Sequence, residues 1–144
     1  MPEEEVAQTA VAEQAVPAVG MLLVGRDVGR REALLRAGGG SDETEAAVTL
    51  ALEWLARHAR KDGLWSLTGP YDDGGSQENR LAATAMALLA FQGAGNTVAQ
   101  GPHRQVVTRA WKGLLAKQLP DGTFDLGDAP TQQRHYAQAQ ATIA

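Results

Sequence analysis

The stretch KGLLAKQLPDGTF, residues 112–124, joins the end of an amphipathic helix to a glycine turn and an aromatic residue. Apolar residues recur at helical spacing over residues 106–115 and predict a helix before the turn. Pro120 disfavours helical geometry at Leu119, and the Asp-Gly pair that follows is typical of a turn. The stretch therefore predicts a helix that ends near Gln118 and a chain reversal directly after it.

The same turn occurs once more, earlier in the chain. DGLW at 62–65 returns as DGTF at 121–124, an offset of 59 (121 − 62), and Ala-Thr at 83–84 returns at 141–142, an offset of 58 (141 − 83). Two separate landmarks that agree within one residue predict a repeated helical hairpin of that length. The predicted fold class is therefore all-α, with two consecutive hairpins.

Helical periodicity around these turns predicts four helices, at about 43–61, 80–92, 101–118 and from 133 to the last residue of the sequence. Asn79 is the expected N-cap of the second helix, because an asparagine side chain accepts hydrogen bonds from the free amides of a first turn. Gly101 and Pro102 are expected to begin the third helix. The apolar stripe of the first helix is predicted to consist of Val48, Ala51, Leu52 and Leu55.

The first 41 residues differ in character from the rest. Proline and glycine interrupt them, and we expect residues 1–41 to form a poorly structured extension with a short helix at 28–37. Asp27 is the expected cap of that helix, and Gly38 is expected in the left-handed position that ends it. Residues 42–144 are predicted to hold the two hairpins.

The second hairpin resembles the QW repeat of squalene and hopene cyclases, which is also the prenyltransferase and squalene-oxidase repeat. The resemblance covers roughly residues 44–144 and is closest to bacterial repeat proteins of the terpenoid cyclase and protein prenyltransferase superfamily. It implies an α/α toroid, of which this chain is a partial ring of about two hairpins. The first hairpin departs from the motif, since Ala59 stands where the motif has glutamine. The motif residues are Asp62, Gly63, Trp65, Lys112, Gly113, Gln118, Asp121, Gly122 and Phe124.

A structural role follows from the chemistry of the motif. A glutamine in a last helical turn can bond the free groups of helix ends, and an aromatic ring after the turn can cover them. We therefore expect Gln118 to link a helix end to the next helix. We expect Trp65 and Phe124 to lie over the ends of their preceding helices.

Composition excludes several classes of function. The net charge is −4 without any cluster of basic residues, so a nucleic acid is not an expected partner. No apolar stretch reaches the ~20 residues of a membrane span, and no signal peptide is recognisable, which leaves the compartment open. The chain has no cysteine, so it cannot assemble the Asp, Cys and His zinc site that the resemblance to prenyltransferases would imply.

The polar residues do not form a catalytic pattern. The DxDD acid of hopene-type cyclases is absent, and His58, His103 and His135 have no metal-binding spacing, so we predict no catalytic residue, no metal and no cofactor. Loop aspartates are more often solvated than catalytic. The weak candidates for ligand binding are Tyr71, Asp72, Asp73, His135 and Tyr136.

These patterns predict a non-catalytic scaffold or binding module of a larger toroid protein, with the rest of its own repeat array or another protein as partner. The alternative is a fragment of a squalene-cyclase-like or prenyltransferase-like lipid enzyme whose catalytic residues lie outside this chain. A carbohydrate-active toroid is a third possibility. The fourth helix reaches Ala144 without a cap, so we also expect a truncated array that self-associates through its third and fourth helices.

Overall fold

A computed structural model describes Ala33, residues 36–125 and residues 127–144. These described residues form α-helices and no β-strand, which confirms the all-α prediction. The four helices are α1 (Asp42–His58), α2 (Arg80–Gly93), α3 (Arg104–Leu115) and α4 (Arg134–Ile143), and a short 3-10 helix, Thr131–Gln133, precedes α4. None of the helices in this part of the chain has the length and apolar character that a membrane crossing needs.

Little of the N-terminal extension is described. The chain divides into two units, Met1–Asp42 and Glu43–Ala144. Of the short helix expected at 28–37, Ala33, Arg36 and Ala37 are helical, and the remaining residues lie outside the described part, as does Asp27. The left-handed residue is Gly39, with φ of 85°, so the prediction of Gly38 was wrong by one position.

The start of α2 is the one that the sequence predicts. The side chain of Asn79 accepts a hydrogen bond of 3.1 Å from the amide of Ala82, which confirms Asn79 as the N-cap. The backbone amide of Asn79 donates a hydrogen bond of 3.0 Å to the carboxylate of Glu78. The beginning of α2 is therefore anchored by local polar contacts.

The bounds predicted for α3 were too wide. Gly101 has φ of 96°, and the buried side chain of Asn96 accepts a 3.0 Å bond from the amide of His103, so the chain is still turning where Pro102 was expected to start the helix. At the other end, the amides of Lys117 and Gln118 bond the carbonyls three residues earlier, both at 3.0 Å. This tighter winding ends α3 at Leu115, because 3-10 bonds replace the α-helical ones.

Helix α2 lies at the centre of the second unit and packs against both α3 and α4. Its small side chains allow close approach of the neighbouring helices, and Leu88 and Phe91 are completely buried. They belong to one apolar cluster with Val107 and Leu114 of α3 and Ala137 of α4. Burial of side chains of this size contributes ~1.5 to 3 kcal/mol each. Helix α2 supplies more residues of this cluster than any other described helix.

The two Asp-Gly turns have the same internal hydrogen bonds, which supports the repeat found in the sequence. Gly63 and Gly122 have φ of 83° and 84°. The bonds of the first turn are Arg60 N to Leu64 O (3.0 Å), Gly63 N to Arg60 O (2.9 Å) and Leu64 N to Asp62 Oδ1 (3.1 Å). The bonds at the equivalent positions of the second turn are Leu119 N to Thr123 O (2.7 Å), Gly122 N to Leu119 O (2.9 Å) and Thr123 N to Asp121 Oδ1 (3.0 Å).

The aromatic residue after each turn is buried. Trp65 is 2% exposed, and its indole N–H donates a 2.9 Å bond to the carbonyl of Leu55 in the last turn of α1. A carbonyl there has no partner within its own helix, so the indole satisfies it. Phe124 is 7% exposed, and its backbone amide donates a 3.0 Å bond to the side chain of Gln138 on α4. Trp65 thus links the first turn to the end of α1, and Phe124 links the second turn to α4.

The apolar stripe of α1 is only half buried. Leu52 is 8% exposed and Leu55 is partly buried, but Val48 is 38% exposed and Ala51 also lies at the surface. Helix α1 therefore packs through its C-terminal half. The stripe residues of its N-terminal half, Val48 and Ala51, face outward.

We expect replacement of Trp65 or Phe124 by alanine to lower the free energy of unfolding by ~3 kcal/mol, because each truncation empties space in the core. Urea unfolding followed by circular dichroism measures this loss. Trp65→Phe separates the two contributions of the indole, because it keeps a ring and removes the bond to Leu55. Trp54→Ala is the control, since Trp54 is 42% exposed, and an equal loss in all the variants would contradict the structural role of the two buried rings.

Candidate functional site

The first Asp-Gly turn rests directly on the backbone of α3. A Cβ atom built on Gly63 would overlap the carbonyl of Arg109, and one built on Gly113 would lie 2.5 Å from the carbonyl oxygen of Asp62 and 3.0 Å from the side chain of Leu64. Both glycines are therefore required by contact between two backbones. The contact joins the turn of the first hairpin to α3, the first helix of the second hairpin, and it is the candidate site for interaction between hairpins.

An ion pair fixes this turn on its other side. Arg80, the first residue of α2, donates a 2.5 Å hydrogen bond to the carboxylate of Asp62. Burial by itself raises the pKa of Asp62, but the bonds from Arg80 and from the amide of Leu64, together with the charge of Arg60, outweigh it and hold the pKa below its ordinary value. Asp62 is therefore ionised at neutral pH and holds the turn against α2.

The second turn has no equivalent ion pair among the described contacts. The offset of 58 places Gln138 where α2 has Arg80, and Gln138 accepts the amide of Phe124 instead. Asp121 bonds the hydroxyl and the amide of Thr123, and these bonds lower its pKa. The two turns are thus alike in backbone and different in their side-chain supports.

Polar side chains link the hairpins at both ends of α2. Asn79 donates to the side chain of Gln133 at 3.2 Å, and Gln133 donates to Gln77 at 3.3 Å. At the far end, the amide of Gln92 donates to the carbonyl of Ala144 at 2.9 Å. These bonds set the register between α2 and α4.

Gln118 does not make the link expected of it. Its side-chain amide is exposed and donates to the carbonyl of Gly122, at 3.4 Å, within its own turn. The prediction was wrong because α3 ends at Leu115, so Gln118 lies beyond the helix whose carbonyls it was expected to bond. Lys112, the basic residue of the motif, is exposed on α3.

The structure brings three of the five ligand-binding candidates together. Tyr71, Asp72 and Asp73 line an open pocket of about 500 Å³ with Trp54 and His58. His135 and Tyr136 lie on α4, exposed to solvent, and line neither this pocket nor the apolar cleft next to it.

Sequence reasoning missed two residues of this pocket, Trp54 and His58. Their rings stack with centroids 4.0 Å apart, and Tyr71 lies 5.2 Å from Trp54 and 5.3 Å from His58. The available signal was their spacing, because residues four apart share one face of a helix. The sequence does not show that the loop after α1 folds back and places Tyr71 against Trp54 and His58.

The loop that carries Tyr71 is organised by one carboxylate. Glu78 accepts bonds from the following donors: the Ser66 hydroxyl at 2.5 Å, the Leu67 amide at 2.8 Å, the Thr68 hydroxyl at 3.0 Å and the Asn79 amide at 3.0 Å. Burial by itself raises the pKa of Glu78, but these bonds, with that from Ser66 the strongest, hold it below its ordinary value of 4.5. Tyr71 is held by a 2.7 Å bond from its hydroxyl to the carbonyl of Ser66.

Comparisons of this chain with protein-family models, with curated proteins and with solved structures found no match. Within the described residues, no three His, Asp or Glu side chains converge as a metal site would require.

The contact between the hairpins predicts different effects of the same substitution at two equivalent glycines. Gly63→Ala and Gly122→Ala both place a side chain at positive φ, which costs ~1 to 2 kcal/mol. Only Gly63→Ala also presses a methyl group against α3, an overlap that costs a further ~1 to 3 kcal/mol. Urea unfolding of the two variants measures the difference, and equal losses would show that the backbone contact does not stabilise the fold.

The lowered pKa of Glu78 predicts a pH-dependent contribution to stability. A carboxylate with a folded-state pKa below its unfolded value stabilises the fold at pH values above the unfolded pKa and loses this effect as the pH falls through the folded pKa. We therefore expect Glu78→Gln to lower the free energy of unfolding at neutral pH, and the difference from the parent chain to shrink below pH 4.5. A difference that stays constant on acidification would contradict the role of the charged form, and the solvated loop variant Asp73→Asn is the control.

Proposed function

We propose that this chain is a non-catalytic repeat module of the α/α toroid kind, a partial ring of about two hairpins, which acts as a scaffold by stacking on further hairpins. The carrying observation is the contact of the Gly63 turn with α3, where the backbone of each segment approaches a glycine of the other and the Leu64 side chain packs beside Gly113. Such contact positions successive hairpins at a defined distance. It suits a stacked array better than it suits a substrate site.

The second hairpin has exposed apolar residues that could meet a neighbour. Large apolar side chains of α3, of α4 and of the segment after α3 are exposed: Leu115 (51%), Leu119 (45%), Tyr136 (73%) and Ile143 (71%). Interaction sites are formed where such side chains are contiguous. The proposed partner is the rest of a repeat array or another protein, and self-association through α3 and α4 remains a prediction.

The carboxylates support a structural role. Asp62, Glu78 and Asp121 all have pKa values below their ordinary range, because each accepts hydrogen bonds from the loop or turn that it organises. A general acid needs the opposite shift, which keeps its proton at neutral pH. These groups therefore lack the shift that a general acid needs, and each holds the backbone of its own turn or loop.

One observation favours a second candidate, the fragment of a squalene-cyclase-like or prenyltransferase-like lipid enzyme. An apolar cleft of about 360 Å³ lies between α1, α2 and the loop, and its lining includes Trp54, Trp65, Leu67, Met86 and Ala90. An isoprenoid chain has the chemistry to occupy it. Saturable binding of farnesol that quenches tryptophan emission, and that Met86→Glu abolishes, would favour this candidate over the scaffold.

The scaffold predicts that the array can be extended. A second copy of residues 87–144 joined after Ala144 continues the repeat in register, because Ala144 corresponds to Met86 at the offset of 58. We expect one cooperative unfolding transition with a higher urea midpoint and a roughly 1.5-fold larger m value, because stacked repeats unfold together and m scales with the surface exposed.

The control for this experiment is a flexible extension of the same length made of Gly and Ser, which should leave the midpoint unchanged. Two separate transitions, or a midpoint equal to that of the control, would contradict the proposed stacking function.

A further inference from the structure

We infer that stacking is directional: the second turn, residues 121–124, docks a helix with glycine at the Gly113 position, whereas Trp54 closes the first hairpin to such docking. This inference rests on the proposed function and specifies its partner. The structure contains an interface between hairpins, formed by the Gly63 turn and α3. The surfaces that correspond to its two halves are the second turn and helix α1.

The first helices of the two hairpins, α1 and α3, correspond at the offset of 59, which places Trp54 of α1 where α3 has Gly113. At Gly113 even a Cβ atom would lie 2.5 Å from the carbonyl oxygen of the docked turn. An indole at this position fills the space that a docked turn occupies. Helix α1 therefore cannot receive an Asp-Gly turn in the way that α3 does.

Trp54 is also held in place by its own hairpin. Its ring stacks on His58 at 4.0 Å and lies 5.2 Å from Tyr71. The side chain of His58 bonds the carbonyl of Trp54 at 2.7 Å, and the hydroxyl of Tyr71 bonds the loop at Ser66. These contacts hold the indole in its present rotamer. Trp54 therefore does not move aside to let a turn dock on α1.

The opposite side has an open acceptor. Gly122 has φ of 84°, like Gly63, but no described atom lies within 4 Å of a Cβ built on it. The second turn has the hydrogen bonds of the first, but no helix of the described residues lies against its glycine. If a helix meets this turn as α3 meets the first turn, it needs glycine at the position of Gly113. A larger residue there would collide with the backbone of the turn.

A second copy of this chain does not offer such a helix. Its Gly113 is already covered by its own first turn, and its α1 presents Trp54. The occupant that fits is thus the first helix of a further hairpin, with a glycine at the Gly113 position that no other turn already covers.

The test uses the full chain with an added hairpin on either side. On the open side, residues 87–144 are appended after Ala144, with or without the substitution Gly113→Trp in the appended copy alone. Tryptophan is a better helix former than glycine, so a loss of stacking in this variant cannot come from helix propensity. On the closed side, a copy of residues 42–100 is inserted before Asp42, with either Trp54 or Trp54→Gly in the original α1.

Each chain is unfolded in urea and compared with the same chain lacking the added hairpin. We expect the midpoint to rise for the appended copy with glycine and for the inserted copy facing Trp54→Gly, and to stay unchanged for the other two. An equal rise with the Gly113→Trp copy, or with the insertion facing Trp54, would overturn the inferred direction and leave the stacking function intact. No rise for any appended or inserted copy would overturn both.

Discussion

The contact of the Gly63 turn with α3 is the constraint on which the arrangement of the hairpins depends. A methyl group on Gly63 would strike the backbone of Arg109, and one on Gly113 would strike the carbonyl of Asp62, so the turn lies directly on the backbone of α3. A contact of this kind has little freedom to slide or to widen, because backbone atoms cannot change rotamer. It fixes how far the second hairpin stands from the first, and the bonds of Asn79 and Gln92 to the second hairpin can then form at the two ends of α2.

Helix α2 uses this fixed spacing. Its small side chains let α3 and α4 approach, and Leu88 and Phe91 fill the space between them. The start of the helix is determined by Asn79 and by Glu78, whose carboxylate also gathers the loop before it. Glu78 and Asn79 thus cap the central helix and shape the loop that carries Tyr71. Through them the position of the surface pocket depends on the start of α2.

The two hairpins share a backbone pattern and differ where they face outward. The first presents Trp54 beside His58 and Tyr71, and the second presents a turn whose Gly122 no other described residue approaches. Two unlike outer sides fit the proposed stacking in one direction, in which further hairpins are added next to the second hairpin and none next to the first. The aromatic surface around Trp54 is then available for contacts other than stacking, and the apolar cleft beside it is the place where a ligand of the second candidate function would bind.

Local sequence patterns predict the helical class, the repeat and the N-cap at Asn79, because periodicity, turn glycines and capping side chains act over a few residues. They also single out Trp65 and Phe124, each of which follows a glycine turn. Tertiary contacts determine that Gln118 stays in its own turn and that Trp54 and His58 meet Tyr71, because these outcomes depend on where α3 ends and on how a loop held by Glu78 folds back. The need for glycine at 113 is likewise tertiary, since it comes from a backbone that lies 51 positions earlier in the chain (113 − 62).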